Sequence, residues 1–156
     1  MRIIVISDTH GYRSRMTELI EKAGCFDTLV HLGDGCRDII AERSFIDADI
    51  VCVRGNNDFS SDDLPDYSIL EAGGARIFCT HGHKYGVREG LTGLVSAAKR
   101  NRCDYALYGH THIRADDTVD GVRCMNPGSV GYPLNGTAAV EIIEIGGKPE
   151  FNFINL

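Results

Sequence analysis

Apolar residues along this chain come in short runs, and most runs stop at a polar turn rich in glycine. Ile3-Ile4-Val5-Ile6, within residues 2–7, would be apolar on both faces of an extended chain, which predicts a strand covered on both sides. Met16, Leu19, Ile20 and Ala23 recur at helical spacing, and Gly24 is placed to cap that helix. Thr28-Leu29-Val30-His31-Leu32 predicts a second strand, residues 36–43 a short helix and residues 48–53 a third strand. Residues 59–66 are polar and read as a loop. Segments 67–70 and 75–80 flank Gly73-Gly74 as the arms of a hairpin. Residues 87–100 carry Leu91, Leu94, Val95 and Ala98 at helical spacing, and 105–108 read as another buried strand. Residues 116–125 alternate and turn at Asp120-Gly121; 126–129 form a loop; 137–145 and 150–154 flank Gly146-Gly147 in a third hairpin.

The pattern predicts an α/β protein. Strands alternate with helices in the first half as parallel strands, and hairpins add antiparallel strands in the second. Right-handed crossovers bring the carboxyl ends of parallel strands to one edge, where open α/β sheets bind ligands. No repeat or linker interrupts the pattern, so residues 1–156 read as a single domain.

Charge narrows the function. A net charge of −6 disfavours nucleic acid as a partner, because phosphate neutralisation needs a basic face. It leaves room for a small phosphorylated substrate, since bound metals add positive charge locally. Cys25, Cys36, Cys52, Cys79, Cys103 and Cys124 are scattered without a CxxC pair, and read as reduced, mostly core residues. Cys36, two residues after Asp34, is a candidate reactive thiol, with packing at a helix start the alternative. Met1-Arg2 and four apolar residues are too short for a secretory h-region or a membrane span, so the expectation is a cytoplasmic protein with no membrane partner.

The candidate chemistry sits where the strands end. Asp8 and His10 follow the first strand, Asp34 the second and Asn56 the third; His81 follows the hairpin arm, and His110 and His112 follow the strand at 105–108. Two carboxylates, an amide oxygen and four imidazoles suit Mn, Fe, Zn, Ni or Co, and suit neither a thiolate site nor an all-oxygen calcium cage. Seven donors exceed one tetrahedral ion with an open position and fit two ions sharing a carboxylate.

In order, D-x-H, G-D, G-N-x-D, H and G-H-x-H resemble the signature of the calcineurin-like metallophosphoesterase superfamily, and the chain looks most like its small single-domain phosphodiesterases of bacteria and archaea. Asn126-Pro127-Gly128-Ser129 resembles the turn that follows the last ligand motif in that branch. The resemblance implies a four-layer αββα sandwich with mixed β-sheets and a metal site at the strand-end edge. It implies that Asp8, His10 and His112 hold one ion, that Asn56, His81 and His110 hold the other, and that Asp34 bridges. It further implies a phosphodiesterase in which a hydroxide between two divalent transition-metal ions, manganese first among them, attacks the phosphorus of a small phosphodiester in line.

One position departs from the broad superfamily, where a histidine often follows the ligand asparagine. Here it is Asn57, which can hydrogen-bond a phosphoryl oxygen and cannot act as an acid at neutral pH. His83 then has two readings: it supplies the leaving group's proton, or it supports the His81 turn. Asp58 reads as a supporting residue bonding a ligand histidine or the turn backbone, and His31 as a core or supporting histidine. Arg13, Arg37, Lys84 and Arg114 lie near motif loops where they could meet phosphate, and Tyr12 and Tyr132 could line the pocket. Two other functions compete with the diesterase: a phosphomonoesterase on the same centre, and a non-catalytic protein-binding scaffold of the same fold, as in the retromer scaffold subunit. The hairpins at the C-terminal end also offer an edge or face for a homo-dimer or higher homo-oligomer.

Overall fold

Ile3 and Val5 leave strand β1 (Arg2–Ile6) on one side, and Ile4 and Ile6 leave it on the other. Both sides are buried, which is why the segment reads as an unbroken apolar run. The computed structural model describes residues 1–59, 63–136 and 138–155. After β1 come α1 (Arg13–Ala23), β2 (Thr28–His31), α2 (Cys36–Ala41), β3 (Asp49–Cys52), β4 (Tyr67–Ala72) and β5 (Ala75–Thr80). Then follow α3 (Thr92–Arg100), β6 (Tyr105–Leu107), β7 (Ala115–Val119), β8 (Val122–Asn126), β9 (Ala138–Ile145) and β10 (Lys148–Asn155).

The strands form two mixed sheets, ordered β10-β9-β1-β2-β3 and β4-β5-β6-β8-β7. In the first, β1, β2 and β3 run parallel, and β9 pairs antiparallel with both β1 and β10. In the second, β5, β6 and β8 run parallel between antiparallel edge strands β4 and β7. Between the sheets lies a core that includes Val5, Val30, Leu32, Ile77, Leu107 and Met125. Met16, Leu19, Ile20 and Ala23 of α1, with Ile39 of α2, cover the outer face of the first sheet. Leu94, Val95 and Ala98 of α3 cover Phe78, Ala106 and Cys124 on the outer face of the second. The result is the αββα sandwich that the resemblance implies.

Three details differ from the sequence pattern. The parallel strand ends belong to two sheets, not one edge, and β6 and β8 extend the parallel arrangement into the second half. The helix expected over 87–100 begins at Thr92: Gly86 (φ +64°) and Gly90 (φ +149°) hold backbone conformations that break a helix, so the stretch before α3 is a 3-10 turn (His83–Tyr85) and further turns. Strand β6 ends at Leu107, one residue early, although Tyr108 N–H still donates to Met125 O (3.0 Å). Residues 60–62 of the expected loop, and Thr137 at the start of the last hairpin, lie outside the described residues. Among the described residues no helix is long and apolar enough to cross a membrane.

Leu107, fully buried between the sheets, tests the inner core. Leu107→Ala is expected to cost about 2–5 kcal/mol in denaturant melts, and Ile40→Ala, at a position 70% exposed, less than about 0.5 kcal/mol.

Candidate metal centre

Five of the seven candidate donors lie in the left-handed backbone region: Asp8 (φ +55°), His10 (+46°), Asp34 (+59°), His110 (+68°) and His112 (+59°). That conformation is costly for residues with a Cβ and must be held by surrounding contacts. The contacts are hydrogen bonds from loop to loop. Asp8 N–H donates to Gly33 O (3.0 Å) and His10 N–H to Asp34 O (3.1 Å), which ties the first motif loop to the second. Gly131 N–H (2.9 Å) and Ser129 Oγ (2.8 Å) donate to Asp8 O. Asp58 accepts N–H bonds from Asp34, Gly35, Cys36 and Gly55 at 2.8–3.1 Å and so joins the loop after β2 to the loop after β3. Two glycines make the close packing feasible: a Cβ on Gly55 would fall 2.1 Å from Asp34 Oδ1, and one on Gly109 would fall 2.0 Å from Ser7 Oγ.

The donors converge on Asp8. Its carboxylate is fully buried. Oδ2 accepts bonds from the Ser7 hydroxyl and from His110 N–H (3.0 Å), while Oδ1 has no hydrogen-bond partner among the described residues. Oδ1 faces Nε2 of His112 at 3.2 Å, of His10 at 3.7 Å and of His81 at 4.0 Å. Asp34 Oδ2 lies 3.4 Å from His81 Nε2 and 3.8 Å from His10 Nε2. Asn56 Oδ1 stands 3.1 Å from His81 Nε2. His81 Nδ1 is 2.8 Å from Leu32 O, where it acts as the donor and leaves Nε2 as the lone-pair nitrogen facing the centre. Two sets of donor atoms fall within bonding reach of a common ion: Asp8, His10 and His112, and Asp8, Asp34 and His81. His110 is in neither set; its ring meets His81 nearly edge-on, with centroids 5.1 Å apart.

This donor set fits a metal. A buried, unpaired carboxylate oxygen among imidazole nitrogens is costly without a cation. Burial raises the Asp8 pKa, but His10, His112, His81 and Ser7 outweigh burial and hold it well below the usual carboxylate range. Asp34 is likewise raised by burial and pulled down to about 2 by His81 and Asn57. Burial, with the charges of His81 and Arg88, lowers His110 to about 4, so its ring is neutral near pH 7 and keeps a lone pair. Ionised carboxylates and a neutral imidazole are the forms that ligate metal ions.

Around the donors, Asn57 directs its N–H at Asp34 Oδ1 (2.7 Å) and its Nδ2 at Asp34 Oδ2 (2.6 Å). His83 packs 5.3 Å from the His81 ring and 6.1 Å from His110, with a buried Nδ1 that has no partner. Asp58 serves the turn backbone, one of its two expected roles. His31 is buried, accepts Gly33 N–H (3.1 Å) and lies 3.2 Å from Thr9 Oγ1, which makes it a supporting residue. Cys36 is not a reactive thiol: it is buried, donates to Val53 O (3.3 Å), and Cys52 and burial raise its pKa. Arg13 pairs with Glu42, Lys84 with Asp66, and Arg114 bonds Asn155; Arg37 alone of the four expected cations lines a hollow beside His10, Asp34 and Asn57. Tyr132 lies parallel to the His112 ring and edge-on to Tyr12. Asp38 was not singled out by the sequence. It accepts Gly11 N–H (2.8 Å) and the Thr9 hydroxyl (2.5 Å), holding the first motif loop, yet in sequence it looks like an ordinary acid in a first helical turn.

Residues 1–147 match the family model of the calcineurin-like phosphoesterase superfamily domain. The phosphodiesterase YfcE of Escherichia coli is 31% identical over 163 residues, covering 89% of this chain and 84% of that protein. A phosphodiesterase of Methanocaldococcus jannaschii is 29% identical over 160 residues, covering 92% and 93%. A solved structure described as a novel archaeal phosphodiesterase superposes with a TM-score of 0.79 at 28% identity, covering all of both chains.

Burial lowers the His31 pKa from 6.5 to about 4. On acidification the unfolded chain therefore takes up this proton first. The neutral-His31 contribution is complete above pH 6.5 and is lost as pH falls toward 4, by about 3 kcal/mol in all. In His31→Asn, whose amide oxygen can still accept Gly33 N–H, the decline in unfolding free energy over that interval is expected to be shallower by this amount. Parallel slopes in denaturant melts of the two chelated proteins would contradict it.

Proposed function

The chain belongs to the calcineurin-like phosphoesterase superfamily, and from that premise we propose that it is a metal-dependent phosphodiesterase working with two divalent transition-metal ions. The observation that carries this reading is Asp8 Oδ1, buried and without a hydrogen-bond partner among the described residues, beside the metal-type nitrogens of His112, His10 and His81. Asp8, His10 and His112 would hold one ion, Asn56, His81 and His110 the other, with Asp34 between them. Manganese is the expected metal, with nickel, iron, cobalt and zinc as alternatives, because a nitrogen and oxygen donor set does not select among them. When bound, the ions activate water and neutralise the charge that grows on the phosphoryl oxygens.

The chain's own residues define the rest. Asn57 fixes both oxygens of Asp34 and keeps one amide hydrogen for a phosphoryl oxygen. His81 is held in one tautomer by Leu32. His83, half-buried beside His81 and His110, is the candidate to hand a proton to the departing alkoxide. A single domain, a small phosphodiester substrate and a cytoplasmic site of action complete the reading, the last supported by scattered, unpaired cysteines. The intact donor set speaks against the scaffold alternative. The missing acid at Asn57 speaks against a monoesterase, which must expel its leaving group from a more highly charged phosphate.

Chelated protein is expected to be inactive, and manganese or another of these ions to restore hydrolysis of bis(p-nitrophenyl) phosphate ahead of p-nitrophenyl phosphate. A preference for the monoester would select the phosphatase reading. Folded protein that neither binds metal nor turns over would leave the scaffold.

Asn57→Ala is expected to lower diester turnover or metal affinity about 10–100-fold, since it acts by orienting Asp34. His83→Asn is expected to slow diesters with alkyl leaving groups far more than p-nitrophenyl ones, which need no proton. An equal loss on both would reduce His83 to support of the His81 turn.

A further inference from the structure

Two hollows share walls with the metal centre, and their chemistry differs. One, of about 260 Å³, includes His10, Asp34 and Asn57 in its wall, with Arg37, Asp38 and Phe59. The other, of about 470 Å³, begins at His112 and is lined by Val87, Tyr108, Ile113, Ala115 and Leu134. Its volume is in the usual range for small-molecule sites, about 300–1,000 Å³. Among the described residues no carboxylate lines it. Arg88, a charged residue among the described ones that line it, donates from Nη2 to His110 O (3.2 Å) and so lies against the candidate metal-ligand turn.

Ile113 and Leu134 are 45% and 69% exposed at this hollow, although both are large aliphatic side chains. Leu134 N–H donates to His112 O (3.1 Å), which fixes that rim relative to a metal donor. The polar side chains on the wall are those of Arg88, Tyr108, Thr111 and His112, and of these Arg88 and Thr111 already have partners. The Thr111 hydroxyl is engaged by Asn126 Nδ2 (3.1 Å) and by Ile113 N–H (3.2 Å). A sugar or glycerol arm entering here would give up water and find few partners, which is costly. An aryl or alkyl arm would cover Ile113 and Leu134, with Arg88 close enough to the His110 turn to offset phosphate charge.

We propose that this hollow binds the apolar arm of the substrate, making the substrate class a phosphodiester with at least one aryl or alkyl arm. The inference rests on the phosphodiesterase reading above. Continuity with the His112 wall ties the occupant to the phosphoryl group at the centre and so favours a substrate arm over a protein segment.

Calorimetric titration of the metal-loaded full chain with methylphosphonate and phenylphosphonate tests it, because each probe carries one phosphoryl group and one arm. Phenylphosphonate is expected to bind at least about tenfold more tightly. Leu134→Ser and Ile113→Ser are each expected to cut that preference at least about threefold. Phe59→Ser, at the rim of the other hollow, is expected to leave it intact. Equal affinities for the two phosphonates would overturn the inference, and so would a preference erased by Phe59→Ser and untouched by Leu134→Ser. In both cases the phosphodiesterase reading would still stand on bis(p-nitrophenyl) phosphate turnover. Failure of both probes to bind would remove the phosphoryl-binding centre and this inference with it.

Discussion

The Asp8 carboxylate is buried with one oxygen tied to Ser7 and the His110 N–H and the other oxygen unpaired among three imidazole nitrogens. An ionised group in that position is tolerable only where positive charge surrounds it. A cation held among His10, His112 and His81 would meet that requirement, and these residues come from loops after β1, β5 and β6. The carboxylate therefore requires the ends of two different sheets to lie together, and the architecture is arranged to satisfy it. The sheets stack through an apolar core, so their strand ends finish side by side, and the loops can be short.

Short loops alone would not hold the donors. Asp58 and Asp38 act as fasteners: each carboxylate collects donors from the loops after β1, β2 or β3. Their hydrogen bonds couple the loops, so a change in one is felt by its neighbours. The His112 loop is tied in separately, by the His110 N–H that donates to Asp8 Oδ2, and Asp8 and His112, far apart in the chain, lie 3.2 Å apart between Oδ1 and Nε2.

Much of this was legible in the sequence. Runs such as Ile3–Ile6 identify strands because both faces are buried, and the spacing of Met16, Leu19, Ile20 and Ala23 identifies α1 because one face is. The candidate donors stood out because histidine and aspartate directly after an apolar strand have few structural reasons to be there. The allocation of strands to two sheets was not legible, since a strand buried on both sides reads the same in either. The start of α3 was misplaced because Val87 is buried by a turn while matching a helical period; Gly86 and Gly90 carried the contrary signal. Asp38 and Arg88 gave no pattern, because an acid in a first helical turn and a cation in a loop are ordinary features of protein surfaces.

The left-handed backbone at Asp8, His10, Asp34, His110 and His112 has a further consequence. Each such residue carries a conformational penalty of about 1–3 kcal/mol that glycine would avoid. Folding stability and the proposed metal chemistry thus press in opposite directions at the same five positions. A descendant of this chain relieved of its chemistry would gain stability by exchanging these residues for glycine, one at a time and without disturbing the sheets. Glycine at these sites in a chain of the same fold would then mark a lineage without the proposed metal site.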